Sequence, residues 1–441
     1  MPASPTKSMI SLDTTQDPCQ FTILGSPLGL LEAVERALCN NPQTREAWAN
    51  VKQQTALVGI NKAAFLPTVN GSLGATWAKG AVLIPGYTGG ELSYGTATSS
   101  GNLNLNWVLF DFGLRSANLE NAIQLLTAAS ANQDATLQTV FMTAAQDYYN
   151  LMTAQELLTA NEEAEKSAKE SYLAADAKHK AGINDLADKL QAQTNYTQTI
   201  LNRVKSNEAL KNAQGTLAID MGLNVITSFT LDTSSTPLPD TQFVKSVDRL
   251  LQEAKRIRPE LLAAQAQLLA AQANVKAAKA TLLPTVTLTG GLGYSTPLGH
   301  IQVETITRSN YVGVQVNAPI FDGFVANYQI RSAKAQVEYQ TANLKNIEQQ
   351  ITLDVWKSYQ SLSTETENLK ATDDLLHSAN QSFKVALGRY KAGVGTILEL
   401  LAAQSALASA QQQHIQASSD WRTARLNLAH SLGKLGLWAI Q

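Results

Sequence analysis

The sequence is poor in charged residues and has no long apolar run. Charged residues make up 16% of its 441 residues, against roughly 25% in typical soluble domains. The formal net charge is −2, and a nucleic-acid-binding protein would show a strongly basic face, so we predict no nucleic-acid partner. No apolar stretch reaches the roughly 18 residues of a transmembrane helix. Residues 1–21 contain no apolar core of the signal-peptide type.

Cysteine is scarce, and histidine follows no metal-binding pattern. Cys19 and Cys39 match no metal motif. They are either two isolated thiols or a disulfide that ties the N-terminal tail to the first helix, which an oxidising compartment would favour. The histidines show no metal-type spacing, and no nucleophile or phosphate-binding motif occurs. We therefore predict no catalytic, cofactor or metal site, and no enzyme.

What the sequence does contain is two copies of one plan. The stretch KAAFLPTVNGSLGATW, Lys62–Trp77, returns as KATLLPTVTLTGGLGYS, Lys279–Ser295, with its proline 217 positions later. Two further pairs lie 211 positions apart: LFDFG at Leu109–Gly113 with IFDGF at Ile320–Phe324, and KAG at Lys180–Gly182 with KAG at Lys391–Gly393. Such self-similarity indicates duplicated structural units, and the change of spacing places a length difference between the two strands of each copy.

Each copy predicts two helices, two strands and two long helices, in that order. Pro42 and Pro259 suit the first turn of a helix, because a proline there loses no helical hydrogen bond. We divide the chain into an N-terminal extension (1–27), a first repeat (28–223), a linker (224–242), a second repeat (243–434) and a C-terminal tail (435–441). The strands are expected at about 67–79, 101–110, 284–295 and 310–320.

The predicted strands alternate with period two, and one face of each is polar but uncharged. Asparagines 102, 104 and 106 alternate with Leu103, Leu105 and Trp107, and the second copy shows the same pattern with Thr, Gln and Val. Strict alternation over about ten residues is typical of membrane β-barrel strands. The alternative is an antiparallel sheet with one wet face, but such a face usually carries Lys and Glu. The pattern therefore favours the barrel.

A helical pattern of some 65 residues follows each strand pair, at 113–179 and at 323–390. At about 1.5 Å per residue such a helix is near 100 Å long, which is typical of coiled coils rather than of a globular core. Gly182 and Gly393 interrupt the pattern and predict hairpin tips.

One chain supplies four strands, and four strands cannot close a barrel. Open sheet edges are not tolerated in lipid, and the smallest closed barrels have about eight strands. The strands must therefore be pooled between subunits. The predicted fold is mixed α and β: a long α-helical barrel of coiled-coil hairpins joined to a transmembrane β-barrel that several protomers share.

In its motifs and their order the chain resembles the TolC family of outer-membrane export channels. The likeness covers roughly residues 27–436. It rests on the duplicated plan, the LP motif entering each first strand, the FDF or FDG motif after each second strand, and the Y-K-A-G-x-G tip at Tyr390–Gly395. The stretch LLEAVERALCNNPQTREAW, Leu30–Trp48, looks more particularly like the CyaE branch, which serves type I protein secretion.

The resemblance implies a homotrimer in the outer membrane of a Gram-negative bacterium, in which three protomers share one barrel above a periplasmic tunnel. Its partners would be outer-membrane lipid, a periplasmic adaptor (membrane fusion) protein, an inner-membrane transporter of the ABC or proton-driven type, and an exported cargo. That cargo would be an unfolded protein, RTX-toxin-like or other. The alternative function is multidrug or small-molecule efflux, and a soluble coiled-coil scaffold is a more remote one.

The resemblance also implies a gate at the periplasmic end. In the family, acidic residues six positions after each tip glycine narrow the tunnel, and here those positions hold Asp188 and Glu399. The family also has a basic residue two positions after the second tip glycine, where it ties neighbouring hairpins together. This sequence has Gly395 at that position. We therefore expect packing, more than salt bridges, to hold the closed state.

Two further sets of residues complete the expectations. The hairpin tips are expected to contact the adaptor through Lys180, Gly182, Lys391 and Gly393. In an exported protein we expect Cys19 and Cys39 to form a disulfide.

Overall fold

The computed structural model describes residue 19 and residues 27–83, 91–183, 185–232, 247–298, 306–433 and 435. The first repeat contains α1 (Leu30–Asn40), α2 (Pro42–Ala63), β1 (Thr68–Leu83), β2 (Glu91–Phe110), α3 (Leu114–Lys180) and α4 (Leu186–Asp220). The second contains α5 (Val247–Ile257), α6 (Pro259–Ala280), β3 (Thr285–Leu298), β4 (Thr307–Asn317), α7 (Val325–Lys391) and α8 (Ile397–Ser431). Most of the expected N-terminal extension and C-terminal tail, and the second half of the linker, lie outside the described residues.

The two repeats match helix for helix. The first helices have 11 residues each and the second have 22. The long helices α3 and α7 have 67 residues each, and α4 and α8 have 35. The strands differ, with 16 and 20 residues in the first repeat against 14 and 11 in the second. The length difference between the copies therefore lies in the strand region.

The strands form one antiparallel sheet in the order β1-β2-β3-β4. β1 continues to Leu83 and β2 already begins at Glu91, so this hairpin is longer than the alternation indicated. In the stretch ELSYGTATSS, Glu91–Ser100, bulky apolar or aromatic residues occur only at positions 92 and 94. Its strand structure comes from backbone pairing with β1 along its length and with β3 from Ala97 onwards. β4 ends at Asn317, two residues before Pro319, which lacks the N–H that a ladder needs.

Each pair of long helices turns at a glycine. Gly182 has φ +70° and Gly393 has φ +76°, a backbone conformation that costs glycine little and other residues much more. The N–H of Ile183 donates to the carbonyl of Lys178 at 2.9 Å, and the N–H of Val394 donates to that of Arg389 at 3.1 Å. These six-to-one bonds are the closing contacts of a Schellman cap.

The chain forms two compact units, and each draws on both repeats. The first unit comprises Met1–Asn50, Ser130–Ala263 and Lys345–Gln441; the second comprises Val51–Ala129 and Ala264–Leu344. In the first unit, one buried cluster centres on Phe141 and Leu426 and another on Tyr148 and Leu217. The second unit contains the sheet and the helix segments that adjoin it.

Within the described part of the chain, no helix combines the length and the apolar character that crossing a membrane requires.

Candidate functional site

One face of the sheet is apolar and exposed. Cross-strand partners project to the same side of a sheet, and the register aligns Val69 with Leu105, Gly290 and Val312. In the chain as described, Leu73 on this face is 94% exposed and Val312 is 82% exposed. Other exposed apolar side chains of the same face are Val69, Trp77, Leu103, Leu292, Val314 and Val316. A sheet that presents such a face needs an apolar environment.

The opposite face is polar and uncharged along its described residues. The register places Asn70 beside Asn104 and Ser72 beside Asn102, and it continues through glycines of β3 to Tyr311 and Ser309. The two outer strands, β1 and β4, each pair on one side only among the described strands. The sheet thus has an apolar face, a polar face and two open edges.

A buried ion pair fixes the junction between β2 and α3. Asp111 is 6% exposed, and its Oδ2 accepts from Nε of Arg115 at 2.7 Å. The same guanidinium donates to the carbonyl of Val108 at 2.6 Å and lies 4.8 Å from the centroid of the Phe65 ring. Burial raises the pKa of Asp111, but the hydrogen bonds and charge of Arg115 outweigh burial, so the net pKa is lowered. The FDF motif is therefore a turn held by its aspartate, with Phe112 at φ +52°.

The second repeat builds the matching junction without an arginine. Oδ2 of Asp322 accepts from the backbone N–H of Ala326 at 2.8 Å, and Phe324 has φ +68°. Ala326 occupies the position that Arg115 holds in the first repeat. Sequence reasoning found the motif but missed Arg115, whose partners come from separate segments of the chain.

At the second hairpin tip, Glu399 lies in the first turn of α8. Its backbone N–H donates to the side chain of Thr396 at 3.2 Å, which caps the helix. Its carboxylate lies 3.7 Å from the guanidinium of Arg389, and both side chains are about half exposed. A basic residue thus stands beside the predicted gate acid although position 395 is glycine. Exposed ion pairs of this kind contribute little to stability. We therefore still expect packing, more than salt bridges, to hold the closed state.

Tyr390 brings the two hairpins of one chain together. Nζ of Lys178, from α3, donates to the Tyr390 carbonyl at 3.2 Å and lies 3.8 Å from the centroid of its ring. Burial first, and then the negative charge of Asp188, raises the pKa of Tyr390. Tyr390 packs with Ala175, Ala192, Ile397 and Leu400 in a buried cluster. The predicted gate residue Asp188 therefore lies close to the second hairpin, and the role of Lys178 was missed from sequence.

At the first hairpin tip, Lys180 takes part in an ion pair. Nζ of Lys180 lies 2.7 Å from Asp176, and Lys189 approaches the same carboxylate at 2.8 Å. These hydrogen bonds, that of Lys180 first, lower the pKa of Asp176 to about 2. Lys180 and Lys391 are exposed, as are Gly182 and Gly393. The four tip residues thus lie on the surface of the described chain.

The disulfide prediction is confirmed. Cys19 and Cys39 are bonded, with their Cα atoms 5.6 Å apart, so the segment at residue 19 is tied to α1. In the described part of the chain, no cluster of His, Cys, Asp and Glu has the makeup of a metal site.

Comparison with known proteins shows which family has this sequence pattern. The outer membrane efflux protein family matches residues 33–222 and 250–434, which covers both repeats. CyaE of Bordetella pertussis is 32% identical over 412 residues, spanning 93% of this chain and 85% of that protein. The chain belongs to the outer membrane efflux protein family. TolC of Escherichia coli, 23% identical over 433 residues, spans 94% of the chain and 84% of its own length.

Solved structures of outer-membrane channels share the fold. The CmeC channel of Campylobacter jejuni has a TM-score of 0.82 at 21% identity, over 92% of this chain and 85% of its own. The outer-membrane channel OprN has a TM-score of 0.80 at 23% identity, over 99% and 98%. These likenesses confirm the predicted TolC-type fold of mixed α and β structure.

Membership of the outer membrane efflux family settles several predictions. The protein is an outer-membrane channel that extends into the periplasm, and it is a transport duct rather than an enzyme. The remote alternative of a soluble coiled-coil scaffold is wrong, because the family resides in the outer membrane.

Proposed function

We propose that the chain assembles as a homotrimer and forms a passive outer-membrane duct for type I secretion of an unfolded protein. The observation that carries this choice of cargo is the relationship to CyaE, at 32% identity over 93% of the chain. TolC of Escherichia coli is 23% identical, and the toluene efflux channel TtgC of Pseudomonas putida is 24% identical. The branch with the highest identity among these three is the one that serves protein secretion.

The two open sheet edges support the trimer. β1 and β4 bound a four-stranded sheet, and an open edge in lipid would leave backbone groups without partners. Pairing β4 of one copy with β1 of the next is antiparallel in sense and closes a barrel when three sheets are pooled. The apolar face would then contact outer-membrane lipid, and the uncharged polar face would line the pore.

The hairpin tips support a gated periplasmic end. Asp188 and Glu399 would narrow the tunnel, and contacts of Lys178 with Tyr390 would hold the two hairpins of a protomer together. Lys180, Gly182, Lys391 and Gly393 would meet a periplasmic adaptor, which links the duct to an inner-membrane transporter. The exposed side chains of Ile183 and Val394, each 71% exposed, lie at the same surface.

The second candidate is small-molecule efflux. Two relatives are named as an antibiotic and a toluene efflux pump outer membrane protein, and each matches 92% of this chain at 24% identity. We rank this function behind protein secretion because these relatives are less similar to the chain than CyaE is.

Deletion of the gene in its host distinguishes the two cargo classes. Secretion predicts that specific proteins disappear from the culture supernatant while susceptibility to drugs and solvents is unchanged, and that the intact gene restores them. An unchanged supernatant with increased drug susceptibility would instead favour efflux.

A further inference from the structure

Two carboxyl groups meet within the first compact unit. Asp147 lies on α3, Asp220 is the last residue of α4, and their side chains are within hydrogen-bonding reach. Oδ2 of Asp220 is buried and has no hydrogen-bond partner among the described residues. Oδ1 of Asp147 accepts from Nδ2 of Asn150 at 3.1 Å. Neither acid joins any of the salt bridges found between described residues.

Two ionised carboxylates cannot satisfy this arrangement. Each would be an acceptor only, so the buried oxygen would stay without a donor, and the two charges would repel. One proton placed between them supplies the missing donor and removes one charge. We propose that Asp147 and Asp220 share a single proton, and that this proton fixes the end of α4 against α3.

The surroundings of the pair agree with proton sharing. Burial, with the hydrogen bond and the charge of Asp147 adding to it, raises the pKa of Asp220 to about 7. Asp147 is the charged group that acts on Asp220 among the described residues. From α1, the nearby polar side chain is the neutral amide of Asn40, which donates to the Met221 carbonyl at 3.2 Å. The Tyr148 hydroxyl, next in sequence to Asp147, instead lies 3.0 Å from the backbone carbonyl oxygen of Asp232 and 3.3 Å from that of Leu28, and it donates its one hydrogen to these acceptors.

The second repeat has neutral residues at the two equivalent positions. The positions 211 residues later hold Ser358 on α7 and Ser431 on α8. Ser431 is buried, and its hydroxyl donates to the Leu428 carbonyl at 2.9 Å. Because the helices of the two repeats have equal lengths, the positions are equivalent. The second repeat therefore has neutral side chains at both positions, and under the proposal the two acids of the first repeat add sensitivity to protons.

The raised pKa of Asp220 fixes the direction of that sensitivity. Its carboxyl keeps a proton up to about pH 7 in the folded chain but only to about 3.8 when unfolded. Between these values the folded state binds more protons, so folding stability falls as pH rises. The stabilisation that this proton provides is complete below the pKa of Asp220 in the unfolded chain, and it is lost as the pH approaches 7. The end of α4 is thus held most firmly in acidic surroundings.

Thermal unfolding of the complete assembled protein in detergent tests the proposal. The natural comparison is the double variant Asp147→Ser, Asp220→Ser, which installs the pair of the second repeat. From about pH 5 to pH 8 we expect the unfolding midpoint of the wild type to fall several degrees further than that of the variant. A control double variant, Glu162→Ser with Glu163→Ser, removes two exposed acids of α3 and should keep the wild-type pH slope.

The isosteric variant Asp220→Asn provides the same comparison if the serine pair prevents assembly. The amide that this substitution introduces donates at every pH. The unfolding midpoint of the variant should therefore fall less between pH 5 and pH 8 than that of the wild type. Equal pH slopes in the wild type and in the variant that assembles would overturn the shared proton.

Discussion

At the scale of single residues, Arg115 holds the turn between β2 and α3 together. It neutralises the buried Asp111 and donates to the carbonyl of Val108. Replacing Arg115 with Met should leave that carboxylate buried and unpaired, at a cost of roughly 3–5 kcal/mol. Denaturant unfolding of the detergent-solubilised protein measures this cost.

The matched change Arg331→Met removes an exposed arginine of the same compact unit, and it should cost less than about 1 kcal/mol. Equal costs for both variants would contradict the role of Arg115.

Single side chains were predicted least well from sequence. Spacing after a tip glycine singled out Asp188 and Glu399, because a repeat makes matched positions visible; their gate role stays a prediction. It could not reveal Lys178 or Arg389, whose partners are set by how helices pack and by the turn geometry. Asp147 and Asp220 escaped for the same reason, since 73 positions separate them along the chain and only folding brings them together.

At the scale of elements, the tip glycines should be needed for backbone conformation rather than for lack of space. A Cβ at Gly182 or Gly393 would meet no atom within 4 Å, yet both residues have positive φ. Replacing both with Val should strain the turns and weaken export and adaptor binding, measured by secretion and by co-purification. Gly388, five residues before Gly393, has equal space around it and no positive φ, so Gly388→Val should keep both activities. Intact export and adaptor binding in the tip variant would refute the docking assignment.

Elements were predicted better than side chains, because periodicity reports them directly. Period-two alternation located all four strands, and the three-and-four spacing located both long helices. The early part of β2 escaped because the small residues at 95–100 leave no hydrophobic pattern. Backbone pairing with β1, and from Ala97 also with β3, makes this part a strand.

At the scale of the whole molecule, a trimer would bring three copies of Asp188 and three of Glu399 towards one axis. Rings of acids favour cations in a pore. The variant Asp188→Asn, Glu399→Gln should lower cation preference and weaken block by divalent cations in single-channel recordings. Glu162→Gln with Glu367→Gln removes equal charge at exposed mid-helix positions and should change neither property. Unchanged selectivity and block in the gate variant would place the constriction elsewhere.

In the proposed assembly, three chains pool their four-stranded sheets into one closed barrel. This assembly is the proposal on which the others depend. It rests on the two open edges of the sheet and on its exposed apolar face. Native mass measurement of the protein purified in mild detergent tests it most directly. We expect a single dominant species with three times the mass of one chain. A dominant monomer in the same detergent would contradict it, because one chain alone cannot close the sheet.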